Sequence, residues 1–166
     1  MAAFEYRQAQ EVRDAFPPHG CRYLFLGKSG AILLGFPDTT QDAVLYVDRS
    51  AANGLALVAA LKELGFQLQP QEEADIRRGK DFIQLKDGPF DLDLVFAPDR
   101  IERFDEAWER RVEVDRFPVC HINDIIASKQ AANRTKDRES LPRLLDFRSY
   151  WLSRQHDQTW RVIPSC

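Results

Sequence analysis

Residues 24–48 read LFLGKSGAILLGFPDTTQDAVLYVD, and this stretch decides how the rest of the chain is understood. Apolar residues 23–26 predict a short strand that Gly27 breaks. Residues 31–34 continue as a short apolar helix, and Gly35, Pro37 and Asp38 form a loop. Residues 42–48 read as a second strand that opens with an acid. Alternation sends Asp42, Val44, Tyr46 and Asp48 to one face, and Ala43, Leu45 and Val47 to the other. Gly27 and Gly30 permit close backbone approach, and Ser29 opens a helix whose free N–H groups attract an anion. A phosphate-binding P-loop is excluded, because the position where its first glycine must stand is Arg22. The layout suits a phosphate group and a metal ion held side by side.

Outward from this stretch, residues 4–16 predict a helix packed by Phe4, Val12 and Phe16, ended by Pro17, Pro18 and Gly20. Residues 50–64 carry Leu55, Val58, Leu61 and Leu64 as a helical stripe, with Gly65 placed to close it. Residues 66–68 read as a brief strand, and 71–80 as either an exposed helix or a loop. Residues 81–85 and 89–96 form a predicted hairpin across Asp87-Gly88. An amphipathic helix follows over 100–110, then a strand over 112–119 that Pro118 assigns to a sheet edge. Two helices close the chain, at 122–132 and 135–154, the second with a kink or restart expected at Ser140 because of Pro142. The pattern is α+β: a small mixed β-sheet with flanking helices and a C-terminal helical pair. One domain over 1–166 is expected, with its core over about 23–145, an N-terminal helix at 4–16 and an uninformative tail at 155–166.

With 44% hydrophobic and 30% charged residues the composition is that of a globular protein. The formal charge of −3 gives no basic footprint for nucleic acid, and Arg77, Arg78 and Lys80 read as a solvated turn. Cys21, Cys120 and Cys166 form neither a metal nor a redox motif and suit a reduced compartment. No secretory leader or membrane-crossing run is visible, so a cytoplasmic location is expected. His19, His121 and His156 have no spacing that defines a catalytic triad.

Two further segments carry chemistry. In Phe90-Asp91-Leu92-Asp93-Leu94-Val95-Phe96 alternation sends Phe90, Leu92, Leu94 and Phe96 to the core, while Asp91 and Asp93 share the other face. Two such acids are either solvated or, converging with acids of a neighbouring strand, suited to Mg²⁺. On the helix at Ile122, Lys129 falls on the stripe of Ile122, Ile125 and Ile126, so it either emerges at the edge or enters a site. Asp137 heads the stripe of Leu141, Leu144 and Leu145, where it favours the helix dipole or pairs with Lys129.

These residues together resemble the nucleotidyltransferase superfamily, in its small bacterial form related to AbiEii-like toxins. The resemblance spans about 23–145. Gly27-Lys28-Ser29 resembles the family's turn, and Gly35 the end of its short helix. Thr40-Gln41-Asp42-Ala43-Val44 resembles the acidic strand, and Asp93 the third carboxylate. The segment IIASKQAANRTKDRESLPRL is similar to the family's C-terminal signature and carries Lys129, Arg134 and Asp137 at matching positions. The resemblance implies a nucleotidyltransferase-like fold and transfer of a nucleoside monophosphate from a nucleoside triphosphate to a hydroxyl. Two Mg²⁺ ions held by three carboxylates serve that reaction. It further implies metal binding by Asp42 and Asp93, and nucleotide contacts from Gly27, Lys28, Ser29, Thr40 and Arg134. Lys129 would meet the triphosphate or the transition-state charge, with Asp137 orienting Lys129 or Arg134.

Three positions depart from the pattern: Lys28 replaces the turn's second Gly, Asp38 the loop Arg, and Val44 the second strand acid. Two functions follow. One is a nucleotidyltransferase with weakened or lost two-metal catalysis, acting on an RNA, a protein or a small-molecule hydroxyl. The other is a non-catalytic relative that binds a nucleotide or a cognate partner protein, as in a toxin–antitoxin or defence module.

Overall fold

The computed structural model describes residues 4–98, 100–101, 103–132 and 134–162, with side chains through 155; the side chains of His156 and Cys166 lie outside that set. Its centre is a six-stranded mixed sheet: β1 (Tyr23–Leu26), β2 (Asp42–Val47), β3 (Phe82–Leu85), β4 (Asp91–Val95), β5 (Val112–Val114) and β6 (Phe117–Val119), in spatial order β3-β4-β2-β1-β6-β5. β2 runs antiparallel to β1 and parallel to β4. The helices are α1 (Tyr6–Ala15), α2 (Gly27–Leu33), α3 (Ala51–Leu64), α4 (Pro70–Arg78), α5 (Phe104–Arg110), α6 (Ile122–Ala132) and α7 (Thr135–Val162). The α+β class read from the sequence is thus the class of the structure.

Register divides the core into two layers. Tyr23 and Phe25 of β1 meet Phe16 and Phe117, on the side where α1 packs against α3. Leu24 and Leu26 point the other way, as do their ladder partners Tyr46 and Val44. On that second side α2 packs against β2 and α6, and α6 against α7. All four residues of β1 are buried, which explains its uninterrupted apolar sequence. Gly30 sets how closely α2 approaches β1: a Cβ there would stand 2.9 Å from the Phe25 carbonyl oxygen.

Several elements differ from the sequence reading. Residues 66–68 form no strand, because the Phe66 N–H closes α3 by donating to the Leu61 carbonyl oxygen, a Schellman-type bond beyond left-handed Gly65. Residues 71–80 resolve as α4, capped by Gln69 and ended by left-handed Gly79. α5 begins at Phe104 rather than Arg100, whose φ of 62° is incompatible with a helix. The single strand expected over 112–119 is a hairpin, turned by Asp115 and Arg116 at φ 49° and 68°. Pro118 therefore lies on β6 between β1 and β5, not at an edge. The β1–β6 ladder is only one residue pair long, Phe25 with Val119, so Pro118's missing N–H interrupts little. α7 runs through Pro142 without a restart at Ser140.

Candidate functional site

The acids converge because β2 and β4 are parallel neighbours. Asp42 pairs with Asp91, and Val44 with Asp93, so all four side chains stand on the face shared by Leu26. A cavity of about 710 Å³ opens over this face. Its acid lining is Asp42 and Asp93, with Val44 between them on the same face, and Asp81. Its basic wall is Lys28 from the first turn of α2, Lys129 from α6, and Arg134 and Lys136 from the α6–α7 junction. Thr39, Thr40 and Gln41 add polar groups, and Phe82, Val95, Ala97 and Pro98 add apolar ones.

Asp93 is only 8% exposed. Burial, then the neighbouring Asp42 charge and a hydrogen bond shared with that carboxyl, push its pKa up to about 6, against the pull of Lys136 and Lys86. Asp91 is the ladder partner of Asp42 but does not line the cavity, and its buried Oδ1 has no hydrogen-bond partner among the described residues.

The basic wall is held from behind. Asp137, 1% exposed, accepts from Lys129 Nζ at 3.3 Å, from Arg134 Nε at 2.7 Å and from the Arg134 backbone N–H at 3.2 Å. It orients both cations at once. Burial pulls the Lys129 ammonium below its usual range; Asp137 opposes the shift without cancelling it, and nearby Lys28 adds to it. Burial acts on Asp137 in the opposite sense, but the Arg134 hydrogen bonds and the Lys129 charge outweigh it and leave its pKa lowered. A second carboxylate repeats this arrangement. Asp38 lies 3.2 Å from Lys28 Nζ and 3.2 Å from Arg143 Nη1, and Arg143 also donates to the Pro37 carbonyl oxygen. The Thr39 N–H, then the Lys28 and Arg143 cations, hold Asp38 below the usual carboxylate range. The negative charge at Asp38 is therefore neutralised and does not stand free beside the cavity.

Of the residues singled out from sequence, Gly27, Lys28, Thr40, Asp42, Asp93, Lys129 and Arg134 meet at the cavity. Ser29 does not. Its hydroxyl is buried, donating to the Leu26 carbonyl oxygen at 2.9 Å and accepting the Val44 N–H at 3.0 Å. It braces the start of α2 against β2, so its hydroxyl is engaged within the fold. Asp48, which alternation places on the same face as Asp42, stands six residues beyond it, about 20 Å along a strand, and is paired with Arg22 at 3.2 Å. Sequence reasoning passed over Lys136, Phe82 and Arg143; only the adjacency of Lys136 to Asp137 offered a hint.

The residues present do not fit a two-ion centre. Val44 offers no ligand, and its methyl groups fill the space under the turn: a Cβ on Gly27 would lie 3.0 Å from Val44 Cγ2. Among the described residues no three His, Cys, Asp or Glu side chains converge as a metal-holding group. What remains is the coupled Asp42–Asp93 pair and Asp81 in one cavity with Lys28, Lys129, Arg134 and Lys136, an arrangement suited to an anion that also carries hydrogen-bonding groups. No protein-family model matches this chain, and no curated protein matches it.

Proposed function

We propose that the protein is a nucleotidyltransferase-like nucleotide-binding protein whose cavity takes a nucleoside triphosphate. The phosphate chain lies against Lys129, Arg134 and Lys28. The transfer of a nucleoside monophosphate to a hydroxyl acceptor is weakened or lost, because Val44 stands where a third carboxylate would be needed. The observation that carries this reading is convergence. Residues 27–28, 40–42, 93, 129 and 134 are scattered through the chain, were picked out by one pattern, and line one cavity. Its volume is within the range of small-molecule sites.

A thermal-shift panel of ATP, GTP, CTP and UTP tests the proposal. Binding at a hundredfold excess over Kd stabilises by about 2.7 kcal/mol, a rise of roughly 5–10 °C for a chain of this size. The rise is expected with at least one nucleotide and should vanish in Lys129→Met. Transfer from an α-labelled nucleotide is expected to be slow or absent. Failure of every nucleotide to shift the melting temperature would remove the proposal.

A further inference from the structure

Two triads of the same form stand behind the basic wall. In one, Asp137 holds Lys129 and Arg134; in the other, Asp38 holds Lys28 and Arg143. Each has two cations on one carboxylate and so keeps one surplus positive charge. Each sends at least one cation to the cavity while its carboxylate stays out of it. Lys28 and Lys129 come from different elements, yet are close enough for the charge of Lys28 to act on Lys129. Both ammonium groups are anchored, by contacts of 3.2 Å and 3.3 Å, so little side-chain freedom remains to be lost when an anion arrives. In the same cavity the position that the family resemblance assigns to a metal-binding acid is Val44, packed against Gly27.

We propose that the two triads seat the phosphate chain of the nucleotide directly, Lys28 at one seat and Lys129 at the other, with no divalent ion bridging protein and phosphate. Asp38, Arg143 and Asp137 are positioning residues: they act on the ligand through the lysines. This inference rests on the nucleotide reading above and goes beyond it by assigning the charge-neutralising role to side chains. Lys136, which has no ion pair among the described residues, adds a further cation at the same wall.

Calorimetric titration of the full chain with a non-hydrolysable nucleoside triphosphate and with inorganic tripolyphosphate, each in EDTA and in excess MgCl₂, tests it. The expected result is a Kd in EDTA within about threefold of that in Mg²⁺, or tighter, since Mg²⁺ competes for the free phosphate chain. Lys28→Met should weaken binding tenfold or more, Lys28→Arg should restore most of it, and Asp38→Asn should fall between. The exposed control Lys80→Met should leave affinity unchanged. Circular dichroism melts confirm that each variant is folded. Binding that requires Mg²⁺ would overturn this inference while leaving the nucleotide reading intact, and so would a Lys28→Met protein that binds like wild type. No nucleotide binding in either buffer would overturn both.

Discussion

Val44 governs what the acid strip can do. Its ladder partner is Asp93 and its methyl groups press against the turn at Gly27, so the strip has one apolar position where a carboxylate would change its chemistry. Val44→Asp is expected to lower stability by about 1–3 kcal/mol without metal, since it buries a third acid beside two others. It is also expected to gain a Mn²⁺- or Mg²⁺-dependent rise in melting temperature larger than that of wild type. Melts with and without Mn²⁺ check both; a variant indifferent to metal would show that the strip cannot be rebuilt by one carboxylate. Asp93 supplies the pH dependence. Its folded pKa of about 6 lies above the unfolded value of 3.8, so the folded state binds the proton more tightly. Its contribution to stability is then full below about pH 4 and is lost as pH rises through about 6, opposite in sign to the contributions of Asp38 and Asp137, whose pKa values are lowered. Burial drives the shift, Asp42 adds to it, and Lys136 and Lys86 oppose it. Asp93→Asn should flatten this slope in urea titrations run from pH 4 to 7.5. The slope is worth up to about 3 kcal/mol at 1.36 kcal/mol per unit.

At the scale of elements, the site depends on how α2, α6 and α7 are held to the sheet. Gly30→Ala would push a methyl group to 2.9 Å from the Phe25 carbonyl and 3.3 Å from the Ile125 side chain. A loss of about 1–3 kcal/mol is expected, measured by urea unfolding. Asp137→Ala would leave Lys129, 11% exposed at its side chain, beside Arg134 with no carboxylate. That should cost about 3 kcal/mol and weaken nucleotide binding as well. The same contrast shows what was legible in the sequence. β2 and β4 declared themselves by alternation, α6 by its stripe, and the β3–β4 hairpin by Asp-Gly, because each signal is local; α3 was found as a helix, but its buried face runs through Gly54, Leu57, Val58 and Leu61, leaving Leu55 of the expected stripe exposed. The Asp115-Arg116 turn carried no glycine to announce its left-handed residues, and Phe66 gave its N–H to a helix end instead of a strand. Within the site, Asp42, Asp93, Lys129 and Asp137 were visible by face. The Asp38–Arg143 contact joins residues 105 positions apart and leaves no periodic trace.

For the whole molecule, the arrangement is an acid strip on a mixed sheet that shares one cavity with cations from the first turn of α2 and a helical pair. On the nucleotide-binding proposal, an occupant of the cavity would tie the second layer together. The elements meeting at the cavity are β1–α2, β2, β4 and α6–α7, whereas α1 and α3 pack on the far side. No helix among the described residues is long and apolar enough to cross a membrane. Occupation of the cavity should therefore protect one side of the sheet and leave the other unchanged. Hydrogen–deuterium exchange with and without the nucleotide that gives the largest thermal shift tests this most directly. The account predicts slowed exchange confined to residues 26–28, 39–44, 93–98, 128–132 and 134–137, with α1 and α3 unaffected. Protection centred elsewhere, or none at all at saturating nucleotide, would contradict it.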